Sequence, residues 1–156
     1  MIGSWRRISA VLAALPMILM GGARADDEGH SDEPLEQVKA KVEAKQAILV
    51  DVREQKEWDR GHINGAMLVP LSRLSDWEQG GMTAEEKAAL ARSLPKGSVV
   101  YCHCRAGHRA LSGAEILRGL GYDARALKPG YDDLVKAGFP RAAEPSPATG
   151  SKSRSN

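Results

Sequence analysis

A chain of 156 residues that is 42% hydrophobic and 27% charged has room for one globular domain with a genuine core. Only 4% of its residues are aromatic, so that core must be built from Val, Leu, Ile and Ala. Three of the basic residues behind the formal charge of +2 are Arg6, Arg7 and Arg24; without them 19 basic residues face 20 acidic ones, which removes the compositional case for nucleic-acid binding and favours small partners.

Residues 1–25 have the three parts of a secretory signal: a short basic start, an apolar run from Ile8 to Met20, and Ala23-Arg24-Ala25 as a cleavage site. The run of about 13 residues falls short of the ~20 that cross a bilayer. Arg6-Arg7 raises a twin-arginine route, but the flanking residues fit it poorly, and no cysteine follows the run to take a lipid anchor. The expectation is a mature protein in the periplasm or secreted, with no membrane attachment once the signal is cleaved. Residues 26–33 read as a flexible acidic leader, 34–140 as the folded domain, and 141–156, made largely of Ala, Pro and Ser with no apolar period, as a disordered tail.

Within 34–140 apolar runs alternate with helical periods. Leu35, Val38 and Val42 predict a helix over 34–45 with Pro34 in its first turn. Residues 47–50 are a continuous apolar run, as in a strand buried on both faces, and 67–69 are a second, closed by Pro70. Leu74 to Met82 reads only as an exposed, Gly-bent stretch. Thr83 and Glu86 form a capping box for a helix to about Leu94. Residues 99–102 give a third strand, 108–120 a helix stopped by Gly121, and 124–127 a short fourth strand. Such alternation predicts an α/β fold: a mostly parallel sheet with helices on both faces, binding its ligand at the carboxyl ends of the strands.

The chemistry gathers at such an end. Residues 99–109 run from a strand through Cys104-Arg105-Ala106-Gly107 into a helix beginning near His108. Successive amides of so short a loop can form a nest for an anion, and the helix adds its positive end. Gly107 permits the bend. A cysteine at the mouth of that cradle has a stabilised thiolate, and Arg105 and Arg109 bring forked donors suited to an oxyanion.

Cys104-Arg105-Ala106-Gly107-His108-Arg109 resembles the active-site loop of the rhodanese family, Cys-x-x-Gly-x-Arg. Asp51-Val52-Arg53, followed by Gly61-His62-Ile63-Asn64-Gly65-Ala66, resembles its other hallmark, and Leu127-Lys128-Pro129-Gly130-Tyr131 with Gly138-Phe139-Pro140 its closing stretch; Pro129 and Tyr131 stand where the family more often has Gly and Trp. The resemblance covers nearly all of residues 35–140. It implies a rhodanese-like sheet of about five strands with helices on both faces. It also implies a sulfurtransferase in which Cys104 takes sulfur from thiosulfate as a persulfide and yields it to cyanide or a thiol, with no metal or organic cofactor. The loop Arg105, Ala106, Gly107, His108 and Arg109 would bind the donor. Related phosphatases and arsenate reductases place five residues between Cys and Arg; from Cys104 to Arg109 there are four, and from Cys102 six, so neither register suits them.

Some readings stay open. Arg109 either binds the donor or pairs with a carboxylate to hold the loop. Asp51, Arg53 and Glu57 read as a structural ion-pair network, His62 as a structural residue, and His108 as exposed. Cys102 reads as a buried strand residue, with a reversible Cys102–Cys104 bond or a soft-metal site including His103 as alternatives. The persulfide could instead pass to a dedicated protein acceptor, making the chain a sulfur carrier.

Overall fold

The computed structural model describes residues 29–142. In chain order these form α1 (Leu35–Glu43), β1 (Ala47–Asp51), α2 (Gln55–Trp58), β2 (Met67–Leu68), α3 (Leu71–Asp76), α4 (Ala84–Ser93), β3 (Val99–His103), α5 (His108–Gly119), β4 (Asp123–Ala126) and α6 (Tyr131–Lys136). The strands lie in the order β2-β1-β3-β4, every pair parallel, with Leu49 beside Tyr101 and Val50 beside Cys102. No helix among the described residues is long and apolar enough to cross a membrane.

The apolar runs of β1 and β3 are continuous because both faces are covered. Alternate residues supply two cores. Val50, Val100 and Cys102 pack with Val52, Leu74, Leu90, Leu94, Ala114 and Leu117 on the face that carries α3, α4 and α5. Leu49 and Tyr101 pack with Val38, Leu134 and Phe139 on the face that carries α1 and α6. Each fully buried Leu or Val contributes about 1.5–3 kcal/mol relative to an exposed one, so β1 and β3 anchor the fold. Thr83 caps α4 as its sequence predicts: its hydroxyl accepts from the Glu86 amide, and its own amide donates to the Glu86 carboxylate.

Three expectations change. The sheet has four strands among the described residues rather than about five; outside these strands His30 forms a single parallel bridge with Ala126, at the edge of β4. Residues 30–33, expected to be flexible, are fastened: Ser31 N donates to Ala126 O, and Glu33 accepts from the Tyr101 hydroxyl at 2.5 Å and pairs with Lys41 and Arg125. The cause is Tyr101, which is entirely buried; an unpartnered buried hydroxyl costs about 1–3 kcal/mol. Burial alone would raise the Glu33 pKa, but the bonds from Lys41 and Tyr101 outweigh it and the carboxyl sits below its usual value. Finally, the stretch from Leu74 to Met82 is not wholly exposed. Leu74 is buried in α3, and a wider π-type turn over Trp77–Gly81, with Gly80 at φ 91°, follows.

At the far end the chain stays attached past Pro140, where Arg141 bridges Ile63 and Ala142 N donates to His62 O. The expected signal segment, the first residues of the leader, and the tail from residue 143 lie outside the described residues.

Candidate active site

Strand β3 delivers Cys104 to the carboxyl edge of the sheet. Its neighbour His103 ends the strand, and α5 begins at His108 after four intervening residues. Gly107 closes the turn at φ 89°; a Cβ there would lie 2.6 Å from Lys128 O. This conformation aims the Gly107 amide back at Cys104, and it donates to Sγ at 3.1 Å. Sγ therefore sits at the positive end of a twelve-residue helix with one amide bonded to it. Of the loop amides expected to line a cradle, Gly107 is the one in hydrogen-bond contact with sulfur. Cys104 is only 1% exposed, while Arg105, Ala106 and His108 are exposed around it.

The loop is pinned from two sides. On one, Tyr131 N donates to Cys104 O at 2.9 Å, which holds the loop against the segment that leads into α6. On the other, Arg109 makes a forked pair with Glu57 of α2, at 2.6 and 2.8 Å. Of the two roles open to Arg109, the structure shows the carboxylate pair: its guanidinium ties the start of α5 to α2, and Arg105 is the loop arginine left facing solvent. The Arg109 hydrogen bonds hold the Glu57 carboxyl down to about 2 against the opposing pull of burial.

That depression has a sign. Because the folded value lies below the unfolded one, the pair stabilises the protein fully above about pH 4.5 and loses its contribution as pH falls toward 2. Both side chains are a quarter to a third exposed, so solvent screening holds the contribution to about 1 kcal/mol. Glu57→Gln is expected to melt lower than the parent at pH 7, and the gap to close in melts taken between pH 4.5 and 2. A gap that stays constant with pH would remove the ion pair from the account.

The remaining candidates divide by role. Asp51 and Arg53 are buried at 0% and 5% exposure and form a forked pair, with Arg53 also donating to Gly61 O and lying 4.3 Å over the Tyr131 ring. This is the structural network the sequence suggests, except that Glu57 belongs to Arg109. His62 stacks on Trp58 at 3.7 Å and bonds the Trp58 carbonyl, a structural role as expected. Cys102 is fully buried in the core, and burial pushes its thiol up to about 12. Neither cysteine is in a disulfide. His103 is also fully buried, but its strand position turns it to the opposite face, beside Asp51, and burial lowers its pKa. Among the described residues no group of three or more His, Cys, Asp or Glu side chains could hold a metal ion, so the soft-metal arrangement is not assembled.

One contributor escaped the sequence reading, and another was named there only as part of the closing stretch. Gly130, the latter, brings its backbone against Arg105. His30 places Nε2 3.4 Å from Gly107 O, and nothing in an acidic leader announces it.

Residues 34–137 match the family model described as a rhodanese-like domain. The chain belongs to that family. The rhodanese-like match begins just after the docked segment 29–33 and ends within the closing stretch. Among curated proteins, this chain is 34% identical over 87 residues to a probable adenylyltransferase/sulfurtransferase, MoeZ, of Mycobacterium tuberculosis, a match that takes in 56% of this chain and only 17% of that protein. It is 28% identical over 87 residues to the thiosulfate sulfurtransferase PspE of Escherichia coli K12, covering 55% of this chain and 72% of that one. Among solved structures, the human single-domain sulfurtransferase TSTD1 is 28% identical with a TM-score of 0.55, over 65% of this chain and 92% of that one. A rhodanese-like domain of the Anabaena protein Alr3790, at 22% identity and a TM-score of 0.56, shares the fold over 83% of this chain and 91% of that one.

Proposed function

We propose that the chain is a sulfurtransferase that carries sulfane sulfur as a persulfide on Cys104, taken from thiosulfate and given to cyanide or a small thiol. The observation that carries this reading is the bond from the Gly107 amide to Cys104 Sγ at the head of α5, inside a ring of exposed Arg105, Ala106 and His108. An amide so placed can donate to the negative charge that builds on sulfur during transfer.

The steps balance without a redox partner. Cys104 thiolate attacks the outer sulfur of thiosulfate; the bond between the two donor sulfurs breaks, and sulfite leaves with the electron pair. The outer sulfur of the persulfide lies about 2 Å beyond Sγ and is the atom the acceptor must reach. Cyanide or a thiolate attacks that outer atom, leaves as thiocyanate or a persulfide, and returns the Cys104 thiolate. The donor's sulfonate end meets Arg105, with His108 beside it, because Arg109 is already held by Glu57.

The test is intact mass of the reduced protein before and after thiosulfate. The expected result is a gain of one sulfur atom with one equivalent of sulfite released, reversed by cyanide. No gain would overturn the thiosulfate mechanism. A gain that cyanide cannot remove would favour a carrier that hands sulfur to a protein partner. We further propose that this chemistry takes place in the periplasm or outside the cell, on the strength of the signal-like residues 1–25. Amino-terminal sequencing of the protein recovered from its host is expected to begin at Asp26; an intact Met1 would overturn it.

A further inference from the structure

The segment ahead of the rhodanese-like match does more than lead into the domain. Gly29 lies against α5, where a Cβ would meet Leu111 Cδ2 at 3.2 Å. His30 bridges Ala126, Ser31 N donates to Ala126 O, and Glu33 is fixed by Tyr101, Lys41 and Arg125. These contacts run the segment along the free edge of β4 and deliver His30 to the back of the Cys104 loop. There its Nε2 lies 3.4 Å from Gly107 O and would lie 3.2 Å from any Cβ at Gly107. A carbonyl oxygen only accepts, so this bond requires the proton on Nε2. Nδ1 is buried and has no partner among the described residues. The same Gly107 presents its amide to Cys104 Sγ on the other side of its Cα.

We infer that residues 29–33 form a strap belonging to the sulfur site, and that His30 is a positioning residue that fixes Gly107 so that its amide stays aimed at Cys104 Sγ. The functional consequence rests on the sulfurtransferase reading; the positioning itself does not. Gly107 is the N-cap of α5 at a left-handed φ, and its carbonyl accepts from Ala110 N at 3.0 Å and Leu111 N at 3.3 Å, so the His30 contact adds to the helix's own hold on the residue that aims the amide. Lys128 O limits it from one direction and His30 from another. Glu33 is the fastening: its three partners lie on α1, β3 and β4, so it ties the strap to the sheet three residues after His30.

The experiment compares His30→Ala, His30→Gln and Glu33→Gln with the parent in the intact protein. Amide hydrogen exchange is read in the loop and in β1 and β3, and the rate of sulfur loading from thiosulfate is read in a single turnover. In His30→Ala, exchange over residues 107–111 is expected to rise about tenfold while β1 and β3 keep their protection. Loading is expected to slow about five- to tenfold, the effect of one lost hydrogen bond on an aimed amide. His30→Gln, which keeps an amide donor for Gly107 O, is expected to recover most of both. Glu33→Gln is expected to loosen the same residues to a smaller extent. Unchanged loop exchange in His30→Ala would overturn the inference. So would a rise shared equally by β1 and β3, or a loss in His30→Gln as large as in His30→Ala, since either marks a general structural role. If the parent protein takes up no sulfur, the sulfurtransferase reading fails by itself, and the exchange comparison still decides the strap.

Discussion

Cys104→Ser is expected to take up no sulfur from thiosulfate, a loss of at least about a thousandfold, while Cys102→Ala loads within about twofold of the parent. The two thiols are two residues apart, and their environments separate them. Cys104 leaves the end of β3, accepts the Gly107 amide at 3.1 Å, and lies at the positive end of α5. Cys102 lies inside the sheet with no exposure, and its thiol is pushed up to about 12. A thiol raised that far stays protonated at pH 7 and is a poor nucleophile. Alanine is the better probe at position 102. Serine would bury a hydroxyl in an apolar core at a cost of about 1–3 kcal/mol and confuse stability with activity. Cys102→Ala leaves only a small void, so a drop of a few degrees in melting temperature is expected without loss of loading. The reverse pattern, with Cys102→Ala inactive and Cys104→Ser loaded, would move the nucleophile to β3.

Where the sequence was informative, the physics was local. The strands of residues 47–51 and 99–103 announced themselves because burial on both faces demands an unbroken apolar run. The helix α4 announced itself through a capping box whose two bonds form between residues three apart. The Cys104 loop was legible for the same reason, since strand, loop and helix follow one another in the chain. What escaped depended on distant residues. Helix α2 has four residues and α6 six, too few to show a period, and each is placed by what it meets: Glu57 by Arg109, Tyr131 by Arg53 and Gly61. The acidic leader looked solvated because its composition does. One buried Tyr101 hydroxyl, 68 positions away, needs Glu33 as its acceptor and draws the segment onto the sheet. Arg109 shows the same limit from the other side. Its loop position suggests an anion ligand, and only the carboxylate 52 residues upstream reveals it as a tie.

Gly130→Ala is expected to be the most damaging single methyl in the domain. A Cβ at this position would stand 1.7 Å from Arg105 O, 2.4 Å from Arg105 C and 3.0 Å from Ala106 N. Gly130 itself has φ −86°, which alanine adopts freely, so backbone preference is not the obstacle. The clash is with backbone on both sides, and no rotamer relieves it. Either the segment 128–131 or the Cys104 loop must withdraw, which breaks the Tyr131 N to Cys104 O bond and removes Lys128 O from behind Gly107. Overpacking of this kind costs about 3 kcal/mol or more, a fall of roughly 10–20 °C in melting temperature for a domain of this size. Gly119→Ala supplies the control: the same chemical change at the end of α5, where a Cβ meets nothing within 4 Å, is expected to be neutral or slightly stabilising. Sulfur loading separates the two consequences. Because the withdrawal occurs at the loop that aims the Gly107 amide, the folded fraction of Gly130→Ala is expected to load sulfur at least about tenfold more slowly than the parent. A variant that melts low but loads normally would mean that Gly130 supports the fold and not the site. One that melts and loads like the parent would show that the closing segment does not press on the Cys104 loop at all.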